Sequence, residues 1–98
     1  MIDERFAITE EESKKVISAY FKEGPGGPLS EFPTKEKKKV IVLNHLLSRF
    51  DSSRRYTEKE VNEILKPIFY DHFLLRRSMV DYGFMDRIID GSYYWVRN

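Results

Sequence analysis

Apolar residues recur along this chain at helical spacing in four places and fall into strand-like runs in one. Val16, Ile17 and Tyr20, widened by Phe21, form a stripe that predicts an amphipathic helix near 10–22. Val40, Leu43, Leu46, Leu47 and Phe50 mark a broader stripe, suited to the centre of a small core, and predict a second helix near 35–50. The run Val40–Leu43 reads as the face of that helix. Val61, Ile64 and Leu65 predict a third helix near 57–66, ended by Pro67, which cannot continue it. Leu75, Met79 and Val80 carry a fourth near 72–82, closed by Gly83. Beyond it, runs near 84–89 and 92–97, rich in β-branched and aromatic residues, flank Asp90-Gly91, a strong hairpin signal.

The polar residues punctuate the same elements. Thr9 with Glu12, and Thr57 with Glu60, have the spacing of a capping box, in which hydroxyl and carboxylate satisfy each other's backbone N–H. Asp71 caps the fourth helix, and Thr34 is the expected cap of the second. Gly24-Pro25-Gly26-Gly27-Pro28 stops regular structure and reads as a linker. Asp51-Ser52-Ser53 is a turn cluster, after which Arg54-Arg55-Tyr56 reads as a short strand that pairs with the hairpin. The expected class is therefore α+β. Its architecture is a winged helix-turn-helix, a three-helix core plus a C-terminal β-hairpin, with an extra N-terminal helix. The expected division is an amphipathic segment over 1–23, a linker over 24–31 and the winged-helix domain over 32–98.

At 98 residues, with 41% hydrophobic and 14% aromatic side chains, the chain has enough apolar material for a packed core. It has no cysteine, so disulfides, cysteine-bound zinc and thiol nucleophiles are excluded. With Asp3 and Glu4 near the start and no apolar run after them, no signal peptide is read. The expected location is cytoplasmic. No stretch approaches the ~20 apolar residues of a membrane span. The net charge of +1 conceals an asymmetry: residues 1–32 carry 4 basic and 7 acidic side chains, and residues 33–98 carry 13 and 9. The basic portion is compatible with nucleic acid.

Several linked motifs carry a resemblance. Phe32-Pro33-x-Lys35-x-Lys37-Lys38, Arg55-Tyr56-Thr57-Glu58-x-Glu60-Val61-Asn62, Leu75-Arg76-Arg77, Val80-Asp81-x-Gly83 and Asp90-Gly91 with Tyr94-Trp95 look like a bacterial domain of unknown function, family two-zero-eight-seven. The resemblance covers about residues 18–97. It implies a winged-helix-like fold and a setting in transcriptional regulation, since members occur alone or joined to ArsR-type regulators and acetyltransferases. It implies no established activity. The Gly/Pro-rich stretch and the bulky Phe73-Leu74 pair depart from the pattern.

Candidate binding residues follow from charge and placement. Lys35, Lys37 and Lys38, with Lys39, crowd the first turns of a helix, where the dipole already supplies positive charge. Each misplaced lysine costs about 0.3–1 kcal/mol at low salt. A phosphate would offset that, and so would lysine stems lying over the core with their heads in water. Arg76 and Arg77 lie early in the candidate recognition helix, where arginine can pair bidentately with guanine. The competing role for Arg77 is an i, i+4 ion pair with Asp81, and for Arg76 a stem packed on the core. Arg54 and Arg55 are expected phosphate contacts. Phe69, Tyr70 and Phe73 read first as residues closing the lower core around Pro67; the alternative is that Phe73 or Leu74 belongs to a partner surface. Of Tyr93, Tyr94 and Trp95, two are expected to face inward.

Nothing in the chain reads as catalytic. His45 and His72 have no carboxylate partners at metal-ligand spacing, no serine sits in a nucleophile elbow, and the glycine stretch lacks a phosphate-loop lysine. No enzyme activity and no cofactor are expected. The leading expectation is a regulator that binds duplex DNA. The alternative is a non-catalytic protein-interaction module on the same scaffold, with a protein partner or a homodimer formed through the N-terminal helix.

Overall fold

The side chains that cap the helices set their starting points, and in the computed structural model, which describes residues 5–97, both capping boxes close. Helix α1 spans Glu10–Tyr20; its Thr9 hydroxyl accepts from the Glu12 N–H at 3.1 Å, and the Glu12 carboxylate accepts from the Thr9 N–H at 3.4 Å. It ends earlier than its stripe predicts because Phe21 swings out of the helix and buries its ring, edge-on to His45 at 4.9 Å between centroids.

Helix α2, Glu36–Leu46, tightens into a 3₁₀ turn over Leu47–Arg49, so the predicted second helix is two pieces. Its N-cap is Lys35 rather than Thr34, and no side chain caps it. Val40, Ile41, Val42 and Leu43 are all buried. Four consecutive residues span more than a full turn, so α2 is enclosed on every side along this stretch, not along one face. Helix α1 covers it on one flank, and α4 on another.

Strand β1 (Arg55–Thr57) leads into α3 (Glu58–Leu65), then α4 (His72–Asp81), β2 (Met85–Arg87) and β3 (Tyr93–Val96). The sheet is antiparallel with order β1-β3-β2, so β3 is central. The class is α+β, and from α2 onward the order is helix, strand, helix, helix, hairpin, as the sequence predicts. Register decides the faces. Tyr56 opposes Tyr94, Tyr94 opposes Arg87, and Met85 opposes Val96, which puts these residues on the helix side. Arg55, Trp95 and Asp86 share the outer face. Only Tyr94 of the aromatic trio is therefore buried; Trp95 is half-buried and Tyr93 is exposed. The hairpin loop is longer than a two-residue Asp-Gly turn: Ile88 N–H donates to Tyr93 at 3.0 Å, and Gly91, at φ +76°, closes the turn on Ile88 at 2.7 Å.

The stretch over 24–31 is held down rather than swinging free. His45 Nε2 lies 2.7 Å from the Pro25 carbonyl, and Arg49 donates to the carbonyls of Pro25 and Gly27, both at 3.2 Å. Leu29 is buried, its N–H donating to Ile68 at 2.8 Å. The N-terminal helix thereby shares one core with the rest of the chain.

Candidate nucleic-acid interface

A cleft of about 330 Å³ opens between α4 and the hairpin. Its floor is Tyr94; Arg77 and Asp81 come from α4, and Arg87 and Asp90 from the hairpin. Helix α4 is fixed by the Asp71 carboxylate, which accepts from the Leu74 N–H at 3.1 Å. Leu75 and Met79 are fully buried, and this turns Arg77 outward. Arg77 forms no ion pair with Asp81, and no hydrogen bond from its guanidinium is found among the described residues. Arg87 is likewise exposed, and it has no ionic partner among the described residues. It extends from the sheet's inner face past the end of the core because it sits opposite Tyr94.

Arg76 has a different environment. Its guanidinium donates to the Asn62 side-chain oxygen at 2.5 Å and lies 3.3 Å from the Glu58 carboxylate. It also covers the faces of Phe73 at 5.2 Å and Tyr94 at 5.9 Å, and its side chain is 13% exposed. It ties α4 to α3 and the sheet. With Arg76 matched to Glu58, the remaining cleft charges are Arg77 and Arg87 against Asp81 and Asp90. Hydrogen bonds from the Ser92 hydroxyl and N–H hold the Asp90 carboxyl below its usual range, so this acid is ionised at neutral pH.

The other expected cations lie apart from this cleft. Lys37 pairs with Glu12 of α1 at 2.6 Å, Lys38 lies 5.9 Å over the Tyr20 ring, and Lys35 is exposed beside them. The groove they line shares no residue with the cleft. Arg54 pairs with Glu60 and lies over Tyr56, while Arg55 stacks over Trp95 on the outer sheet face at 4.9 Å. The seven expected contacts thus fall into three groups, and among the described residues Lys35, Lys38, Arg55 and Arg77 keep heads without an ionic partner. Arg87 was not among the expected residues. Only the hairpin register points to it, and that register follows from the pairing of Met85 with Val96.

Two aromatics at the start of α4 also depart from expectation. Phe69 packs on the core, but Tyr70 is 85% exposed and Phe73 49%. Ile89, at the hairpin tip, is 95% exposed. His45 is engaged by Pro25; because a carbonyl only accepts, Nε2 carries the proton. Among the described residues no group of three histidine, aspartate or glutamate side chains gathers in a metal-binding arrangement. No helix among the described residues is long and apolar enough to cross a membrane.

Comparison with known proteins gives one match. The model of a family described as "Uncharacterized protein conserved in bacteria (DUF2087)" matches residues 28–96. No curated protein and no solved structure matches the chain.

Proposed function

The chain belongs to the DUF2087 family, and from that premise and the cleft geometry we propose that it binds duplex DNA as a winged-helix regulator. The element order supports α4 as the recognition helix and the β2–β3 hairpin as the wing. The observation that carries the reading is Arg77, exposed on α4 and released from Asp81, with Arg87 across the cleft. In this mechanism Arg77 reads a base edge in the major groove and Arg87 contacts a phosphate. Arg55 and Lys35 are secondary phosphate contacts, whereas Arg76, Arg54 and Lys37 serve the fold through their acidic partners.

A second reading, a protein-interaction module, draws on a separate observation. Tyr70 and Phe73 expose rings at the start of α4, and the cleft's charges balance instead of summing to a positive field. A titration with short random duplex at low and moderate salt separates the two. DNA binding requires affinity that falls with salt at a log–log slope of about −0.9 per neutralised phosphate. Arg77→Ala then relaxes preference at one base position, at about 1–3 kcal/mol. Absence of binding at low salt rejects the first reading and leaves the second.

A further inference from the structure

The lysines at the start of α2 do not face the α4 cleft; they surround an apolar hollow. Between α1 and α2 lies a groove of about 360 Å³ whose floor is Val16, Ala19, Tyr20 and Ile41. Its rim carries Lys15, Lys35, Lys37 and Lys38 against one carboxylate, Glu12. Glu12 is already satisfied: Lys37 bonds it at 2.6 Å and holds its carboxyl below the usual range. Lys15, Lys35 and Lys38 have no carboxylate partner among the described residues. Three uncompensated ammonium groups around an apolar floor form an unusual surface for water alone, and the uncapped start of α2 adds to the same field.

We infer that this groove binds a small amphiphilic carboxylate, with an aromatic or short aliphatic body on the α1–α2 floor and its anionic head among Lys15, Lys35 and Lys38. The volume falls in the range of small-molecule sites, where an apolar lining supplies affinity and a few charged groups fix orientation. A nucleic-acid backbone is a poorer fit, because its phosphates would leave the apolar floor unused. Tyr20 offers a ring face, and Lys38 above it can close over a bound ring as it now lies over Tyr20. The groove shares no residue with the α4 cleft, and of the residues proposed to touch DNA it draws only on Lys35, a secondary contact.

The test uses the full chain and 2-naphthoate as probe, by isothermal titration calorimetry and thermal shift, beside 2-naphthamide, acetate and inorganic phosphate. The expected result is saturable binding of 2-naphthoate that weakens with salt, with the amide, acetate and phosphate each much weaker. Each of Lys35→Ala and Lys38→Ala is expected to weaken binding roughly two- to fivefold, the range of an exposed ion pair. Ala19→Leu, which fills the floor from an exposed helix position, is expected to abolish it. Equal binding of naphthoate and naphthamide to the native chain would overturn the proposal, as would no binding of naphthoate. Binding unchanged by Ala19→Leu would also overturn it, by placing the ligand elsewhere.

Discussion

Arg76 donates to Asn62 at 2.5 Å across the interface of the third and fourth helices, a contact that ties the two helices together. The guanidinium fork lets one side chain serve Asn62, Glu58 and two ring faces at once, a combination a lysine ammonium cannot reproduce.

Removing that tie has a stability cost. Arg76→Met is expected to lower unfolding free energy by about 1.5–3 kcal/mol, the range for hydrogen bonds to charged groups. Arg76→Lys should recover only part of it. Urea denaturation of the three proteins checks this; a midpoint unchanged in Arg76→Met would show that the bond contributes nothing.

The N-terminal helix is expected to be integral to the fold. Phe21→Ala deletes a ring that is 2% exposed, at about 3–5 kcal/mol. A chain starting at Leu29 should melt well below the full chain, because it uncovers Ile41, which faces α1. Equal melting temperatures would refute the docking of α1.

Core truncation at the centre gives a reference magnitude. Leu43→Ala and Met79→Ala, both at fully buried positions, are expected to cost about 2–5 kcal/mol each. A loss under 1 kcal/mol at either position, by the same denaturation, would contradict the packing around α2 and α4.

Acid should destabilise the fold through its stabilised carboxylates, three glutamates among them. Glu12 is lowered by its hydrogen bond from Lys37, Glu36 by that from the Tyr82 hydroxyl, and Glu60 by the Thr57 N–H, all from an ordinary 4.5. Groups with lowered folded values contribute fully above the unfolded value and lose that contribution as pH falls through the folded one. Stability measured by urea is therefore expected to decline from about pH 5 downward, and Glu12→Gln to flatten that decline. Tyr82 works in the opposite sense. Its phenol is raised above 10.0 because its O–H donates a hydrogen bond to the Glu36 carboxylate, so its share is lost only as pH rises through the raised value.

Gly83 ends α4 at φ +79°, a left-handed conformation in which an added Cβ would also meet the Arg97 guanidinium at 3.4 Å. Gly83→Ala is expected to cost about 1–2 kcal/mol, read as a lowered urea midpoint. Asn at this position should be milder, since it tolerates the left-handed region.

What the sequence determined is local. Thr9, Thr57 and Asp71 announce helix starts because capping links residues only three apart, and Gly83 marks the end of α4 because few other residues adopt its φ. The β-branched and aromatic runs flanking Asp90-Gly91 marked the hairpin of β2 and β3, and the turn cluster at 51–53 announced β1. Tertiary structure decided which charges remain available. Lys37 and Glu12 lie 25 positions apart, and Arg76 and Asn62 lie 14 apart, so no periodicity predicts that they meet. The burial of Ile41 and Val42 likewise depends on α1 folding back through a loop clasped by His45 and Arg49. Helix and turn signals are written in neighbouring residues, whereas the freedom of a cation depends on whether a distant acid reaches it first. For that reason Arg76 is tied to Asn62 and Glu58 while Arg77, its neighbour in sequence, is left exposed.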